Sequence, residues 1–287
     1  LLAKPSSVVD IQEDAQGHIW FESTKSITKF DGKQFQAFPK EAIPTVAIGK
    51  ASIQLSANDL WFKHFVKVGE GDRGVYRFDG QSLSFISFEP PILNLAEEHS
   101  HFWISSITAF RNNQVWFGTL DQGAIGFNGE KLEKIDDETM DYDGENEFVH
   151  IRSMLLDTKD NLWIGNNGVG ILLKEGNSIK NFSKEQGKLM AFDNFVLRNR
   201  QSNGLQAIFA IEEDQDGNIW FGETTTGAWK FDGTTLTNYS SIYDGLTEKA
   251  IIWDIYNDRA GRLWFILSSG VVFTFNGISF ERFKGFH

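Results

Sequence analysis

The sequence contains no cysteine. Disulfides, thiolate metal sites and cysteine nucleophiles are therefore excluded. No apolar run approaches 18 residues, so no transmembrane helix is expected. No segment outside the long connections repeats with helical period, so almost no helix is expected. Positive charge is also short: 27 Lys and Arg face 39 Asp and Glu, for a formal net charge of −12. That balance argues against nucleic acid or an anionic membrane as partner. Catalytic signatures are missing too. There is no Gly-x-Ser-x-Gly, no His-Glu-x-x-His and no phosphate loop, and no spacing ties Ser and His into a triad. The chain begins Leu1-Leu2-Ala3-Lys4 rather than with Met, as a mature or trimmed form with its targeting segment removed would.

What the chain has is aromatic residues and repetition. Of 287 residues, 26 are Phe and 9 are Trp, enough for a sizeable apolar core. The best-formed repeat runs from Ile211 to Gly233, IEEDQDGNIWFGETTTGAWKFDG. Ala207 to Glu213 alternates with β period. Asp214-Gln215-Asp216-Gly217 is a turn, with Asp at its start and Gly at a φ > 0 corner. Ile219-Trp220-Phe221 is a strand covered on both faces, Thr224 to Gly227 a loop, and Ala228 to Phe231 a third strand. Asp232-Gly233 is a hairpin signal with both corners expected at φ > 0, and Thr235 to Tyr239 is the fourth strand. Such a sheet cannot bury its own faces and needs neighbours of its own kind.

The motif recurs around Trp20, Trp61, Trp116, Trp163, Trp220 and Trp264, in steps of 41 to 57 residues. Steps near that length, with four strands each, are the signature of propeller blades. The expectation is an all-β, six-bladed β-propeller of four-stranded antiparallel blades in one domain over 1–287. The blades fall near 7–38, 50–88, 102–135, 150–182, 206–239 and 250–283. In each, strands a to d follow in order. The hairpin pair is Asp31-Gly32, Asp79-Gly80, Asn128-Gly129, Glu175-Gly176, Asp232-Gly233 and Asn276-Gly277. Glu175 departs from the pattern, since Glu tolerates φ > 0 less well than Asn or Asp. No strand is left over to close the ring. Either Leu1 to Ser7 adds to the last blade, or side-chain packing closes it.

Insertions have a direction. The long segments are d-to-a connections, and strand alternation puts them on one face together with the b–c loops. Among the b–c loops, His64 to Gly74 is the longest. In repeat architectures that face often binds the ligand. Trp103, His101, Arg198 and Arg200 are expected on it, with the c–d hairpins opposite.

The pattern Asp-x-x-Gly-x-[Ile/Leu]-Trp-Phe-Gly, followed by Gly-x-x-x-Phe-Asp-Gly, resembles the two-component regulator propeller repeat. Asp214, Gly217, Trp220, Gly222, Gly227 and Gly233 carry it, and Glu13 to Gly32 and Thr158 to Gly176 match less fully. Tyr243-Asp244-Gly245-Leu246 looks like the linker of that family. The resemblance implies the extracytoplasmic sensing part of a bacterial membrane histidine kinase, hence a periplasmic or extracellular place. The chain itself has neither membrane helix, kinase nor DNA-binding module, so it looks like a free-standing propeller with a separate signalling partner. More distantly it is similar to the streptogramin lyase propellers, which are metal-dependent enzymes.

Candidate chemistry is sparse. The six repeat Trp residues sit mid-strand in apolar triplets, and packing between blades is their expected role. Trp103, Arg152 and Trp253 are candidate ligand-binding residues, with His101, Arg198 and Arg200 on the insertions. Arg suits bidentate carboxylate or phosphate capture. Glu97, His99 and His101 are the alternative divalent-metal set, with His150 and Glu147 nearby in the sequence. Asp141 to Glu147 spaces its carboxylates like a calcium loop but lacks the twelve-residue frame. A solvated loop is preferred in each case. The resulting expectation is a non-catalytic module, with no catalytic residue and no cofactor, that binds a small molecule, glycan fragment or protein segment on the insertion-rich face. The alternatives are a metal-dependent lyase and a protein–protein scaffold.

Overall fold

The fold is assembled from a turn that fastens a ring. In the fifth repeat the Asp214 carboxylate accepts from the backbone N–H of Asp216 (3.0 Å) and Asn218 (2.9 Å), which closes the a–b turn. Its other oxygen accepts from the Trp220 indole Nε1–H at 2.8 Å. The same fork recurs from Asp14 to Trp20, from Asp157 to Trp163 and from Asp258 to Trp264, each at 2.9 Å. A buried indole N–H needs an acceptor, and an Asp six residues earlier supplies it across the turn. The ring is thereby oriented before any neighbouring sheet packs on it.

A computed structural model describes residues 8–48, 52–67, 71–88, 101–108, 111–120, 122–136, 139, 150–189, 204–243, 246 and 250–284. The chain divides into two compact units, Leu1–Lys134 and Ile135–His287. Almost all of the regular structure is strand. The helical pieces among the described residues are the four-residue α1 (Phe182–Glu185) and two short 3-10 turns.

In the first unit, β1 (Val8–Glu13), β2 (Ile19–Ser23), β3 (Ser26–Phe30) and β4 (Phe35–Pro39) form an antiparallel sheet in that order. The second repeat departs from expectation. Its sheet runs β5 (Thr45–Ala47), β9 (Leu83–Ser87), β8 (Gly74–Phe78), β6 (Leu60–Phe62). Among the described residues no strand a pairs with β6, and the fourth strand is β5, from the preceding connection, which pairs parallel with β9. Residues 52–57 are spent elsewhere: Ile53 N–H donates to Gly129 O at 2.8 Å, and the Gln54 carbonyl accepts from Arg77 at 2.6 Å. A backbone committed to those partners cannot pair with β6. The long b–c loop contributes β7 (Phe65–Lys67), which adds to the third sheet. That sheet has five strands: β13 (Leu132–Ile135), β12 (Ala124–Phe127), β11 (Val115–Thr119), β10 (His101–Ile107) and β7.

The second unit is more regular. β14 (Ile151–Leu156) to β17 (Ser178–Asn181), with β15 (Leu162–Asn166) and β16 (Ile171–Glu175) between them, form the fourth sheet. β18 (Ile208–Glu213), β19 (Ile219–Glu223), β20 (Ala228–Phe231) and β21 (Leu236–Tyr239) form the fifth. β22 (Ile252–Asn257), β23 (Leu263–Leu267), β24 (Val272–Phe275) and β25 (Phe280–Arg282) form the sixth. Register fixes the ends. Ile208 is opposite Glu223 and Ala228 is opposite Tyr239, so the a start, the b–c loop and the d end share one end of the sheet. The Asp232-Gly233 hairpin lies at the other.

The hairpins use a different corner from the one expected. Gly32, Gly80, Gly129, Gly233 and Gly277 have φ between 90° and 95°, but no Asp or Asn before them has positive φ. Instead that residue opens the turn and its side chain accepts the amides two and three residues on. Asp232 Oδ1, for example, takes Thr234 N–H at 2.9 Å and Thr235 N–H at 2.7 Å. The fourth hairpin is tighter: Glu175 pairs directly with Ser178, has no positive φ, and Gly176 turns at φ 58°. Left-handed corners without Gly do occur in the a–b turns, at Asn112, Asn113 and Asp160.

The sheets in each unit are joined by one repeated contact. Trp20 packs on Phe62 and Phe78, Trp61 on Phe117, Trp163 on Phe221 and Trp220 on Phe265, with ring centroids 4.4–6.0 Å apart. The partner Phe62, Phe117, Phe221 or Phe265 follows the Trp of the next repeat. Aromatic pairs in tilted or edge geometry add to the area term. Trp220 is 0% exposed. Trp264, in the sixth sheet, is only half-buried and packs on Phe283 and beneath Arg262 instead. On the same side, Tyr256 and Ile266 face solvent.

Two measurements follow. Trp220→Ala is expected to cost about 3–5 kcal/mol through cavity formation, and Trp264→Ala markedly less; equal losses in urea unfolding would contradict the account. Burial raises the Asp14 pKa, but hydrogen bonds from Trp20, His18 and Gln16 outweigh it and lower it to about 2, below the ordinary 3.8. Its folded pKa lies below the unfolded one, so the stability it contributes is present above about pH 4 and is lost as pH falls toward 2. Asp14→Asn should flatten that part of the acid-denaturation curve, and a curve parallel to wild type would exclude the assignment.

Candidate functional site

Every strand a that is present carries a bulge at its second turn of pairing. The register slips between Val8 and Asp10, Ile104 and Ser106, Ile151 and Ser153, Ile208 and Ala210, and Ile252 and Asp254. The extra residues are Val9, Ser105, Arg152, Phe209 and Trp253. A bulge bends the strand and re-aims its extra side chain. The cause is visible at the strand start. The first amide of each b–c loop in the second unit donates back to the residue preceding strand a: Asn167 to His150 O (3.0 Å), Thr224 to Ala207 O (3.2 Å) and Ser268 to Ile251 O (2.9 Å). Loop and strand start are thus tied, and the surplus residue is displaced between tie and ladder.

In the second unit β14, β18 and β22 lie side by side, so three displaced side chains come into line. The Arg152 guanidinium stands 5.0 Å from the Phe209 ring centroid. Phe209 in turn meets Trp253 with centroids 5.8 Å apart and planes at 40°. Trp253 is 57% exposed. The row runs cation, half-buried ring, open ring. Cation–π contact is favoured when water is partly excluded.

The flanking groups are held by burial and charge. His150 has its pKa lowered to about 4, by burial first and then by Arg152, so it is neutral at physiological pH. Glu212, on β18, has its pKa raised to about 7 by burial and then by Asp254. The neighbouring b–c loop is rigidly built. Glu223, 1% exposed, accepts from the amides of Thr225 (2.6 Å) and Thr226 (2.8 Å) and from both hydroxyls at 3.1 Å. Thr226 Oγ1 accepts from the Trp229 indole at 2.8 Å.

Of the residues expected from sequence, Arg152 and Trp253 are brought together, with Phe209 as the missing link. Trp103 lies in the first unit, on β10, edge-on to Phe65 at 5.2 Å; the two are 48% and 51% exposed. Because β7 pairs with β10, Trp103 is not on the border strand of its sheet. His101 opens β10, but its side chain, and Glu97, His99, Asp141 to Glu147, Arg198 and Arg200, lie outside the described residues. Among the described residues no group of three or more His, Cys, Asp or Glu could hold a metal ion. Phe209 was detectable by aligning repeats on Ile151, Ile208 and Ile252, which places it at the position of Arg152 and Trp253.

Residues 204–224 match the two component regulator propeller family model. A search among curated proteins found no match. Among solved structures, the extracellular domain of BT3049 from B. thetaiotaomicron, a candidate hybrid two component system, superposes with TM-score 0.64 at 18% identity, over 99% of this chain and 36% of that one. The corresponding domain of BT4673 gives TM-score 0.50 at 18% identity, over 95% and 38%. YCF48 from Cyanidioschyzon merolae gives 0.58 at 15% identity, over 99% and 87%. The chain thus spans little more than a third of the two bacterial structures it matches. At these identities the likeness is one of fold. No helix among the described residues is long and apolar enough to cross a membrane.

The exposure of Trp253 generates a contrast with the repeat Trp residues. Trp253→Ala should change stability by no more than about 0.5 kcal/mol, whereas Phe209→Ala should cost about 1–2 kcal/mol, less than a fully buried Phe. Urea unfolding checks both, and a large loss in Trp253→Ala would make that ring structural. Taken with the geometry, residues 204–224 are a two-component regulator propeller repeat, within a chain that shares the fold of extracellular domains from such systems.

Proposed function

We propose that the six repeats are the six blades of a β-propeller that acts as a non-catalytic sensing module, and that its ligand binds where strands a begin in the second unit. The observation that carries this reading is the Arg152–Phe209–Trp253 row. It combines an open aromatic surface with a fixed cation at the end of the sheets from which the long connections emerge. Binding needs a concave or aromatic surface with a few oriented polar groups, and the row meets that need without a proton-transfer pair. The rigid b–c loop around Glu223 supports preorganisation. The ligand class is a small molecule, glycan fragment or protein segment. The likeness to extracellular domains of two-component systems supports a periplasmic or extracellular place and a separate signalling partner that reads the bound state.

A thermal-shift screen over small molecules, sugars and short peptides tests this. Ligands that raise the unfolding temperature of the wild type should fail to do so for the double variant Phe209→Ala, Trp253→Ala. Binding equal in both proteins would move the site elsewhere.

A further inference from the structure

The contact that joins neighbouring sheets has a direction, and two faces are left without it. Trp163 packs on Phe221, and Trp220 packs on Phe265. Among the described residues, Trp264 meets Phe283 rather than the Phe of a following repeat. Phe21, which follows Trp20, meets Phe35 rather than the Trp of a preceding repeat. Both faces are open. On the first sheet Ile11 stands opposite Phe21 and is 60% exposed, whereas Ile255, at the same step of the sixth sheet, is 3% exposed. Phe35 is exposed beside it. On the sixth sheet Tyr256 stands opposite Trp264 and is 55% exposed, and Ile266 is exposed too. Covering apolar surface of this kind is favourable.

The charges at the turn end match as well. Glu213, just before Asp214, accepts from the Thr158 amide at 2.7 Å and from its hydroxyl at 2.5 Å, in the a–b turn of the preceding repeat. The first sheet has Glu13 at the Glu213 step, and the last a–b turn has Arg259 at the Thr158 step. Both are exposed, and neither has an ion-pair partner among the described residues. A cation therefore stands on one open face where the other has a carboxylate. The fit is looser than inside a unit. A Cβ at Gly222 would lie 2.7 Å from Ile252 of the next sheet, so that Gly admits a close approach. The sixth sheet has Ile266 at this step, and a sheet covering it stands farther off with weaker dispersion contact. Such a contact suits reversible association between molecules.

We propose that the Trp264 face of the sixth sheet receives the Phe21 face of the first sheet from a second copy of this chain, with Arg259 meeting Glu13. The two faces differ, so the contact is head-to-tail, and each bound copy keeps one face open for the next.

Sedimentation velocity of the full chain tests this from micromolar to millimolar concentration. Physiological salt screens the repulsion between copies of net charge −12. The mean mass should rise with concentration and pass that of a dimer. Ile11→Glu and Ile266→Glu each put a charge at an exposed position of one face. Each alone should stay monomeric, and an equimolar mixture should form a dimer and nothing larger, because each partner contributes its one intact face. Glu13→Arg should weaken association several-fold, and the double variant Glu13→Arg, Arg259→Glu should restore it. Unfolding midpoints establish that the variants fold, and the charge swap decides the matter alone if an Ile variant unfolds early. A wild type that stays monomeric throughout overturns the proposal. Association that survives either Ile variant puts the contact elsewhere and also overturns it, as does a mixture of folded variants that forms no dimer, or a charge swap that restores nothing.

Discussion

The structure depends on one fork of hydrogen bonds: an Asp that closes a turn with one oxygen and holds a Trp indole with the other. Four of the six repeats show it with Trp Nε1 to carboxylate distances of 2.8–2.9 Å. Its importance is geometric. A large ring at the middle of a short strand could adopt several rotamers, and only one sends it into the Phe of the next repeat. At Trp20, Trp163 and Trp220 the carboxylate holds that one, while Trp61 reaches Phe117 without it. Within each unit, local turn chemistry is thereby joined to the packing contact between neighbouring sheets.

Where the fork is missing, the local structure changes. Trp61 has Leu55, not Asp, six residues before it, and its indole nitrogen has no hydrogen-bond partner. Asp59 instead bonds Arg77 at 2.8 Å, and the Arg77 guanidinium lies 5.7 Å from the Trp61 ring. A buried ion pair is retained here with its own hydrogen bonds, as burial of charge requires. The same repeat shows no strand a among its described residues and borrows β5 in parallel. The third repeat also lacks the Asp, with Phe110 six residues before Trp116, yet keeps its first strand β10 paired with β11.

The ladder and the site are connected through the bulge. Tying each b–c loop to the residue before strand a leaves one residue too many for the ladder. A core position would hide that residue, but a bulge presents it. Repetition then aligns the presented residues on adjacent strands. These residues lie outside the buried core, so Val9, Ser105, Arg152, Phe209 and Trp253 can differ while the backbone around them repeats.

By itself the sequence determined where the repeats fall, the strand order of all but the second, the turn positions and the burial of five of the six Trp anchors. These follow from period-2 patterning, from Gly at φ > 0, and from apolar triplets that only a two-sided burial can accommodate. It also singled out Arg152 and Trp253 as candidate ligand residues on the first strands of their repeats. Only the tertiary structure decided that residues 52–57 go to Gly129 and Arg77 rather than to β6, since competition among distant hydrogen-bond partners leaves no local pattern. Only it showed that Asp31 or Asp232 opens the hairpin through its carboxylate, because Asp-Gly reads the same in either turn. And only it joined Arg152 to Trp253 through Phe209: residues 44 to 57 positions apart meet because a bulge recurs at the same step of successive strands, and a bulge is set by hydrogen-bond register, which residue identity does not reveal.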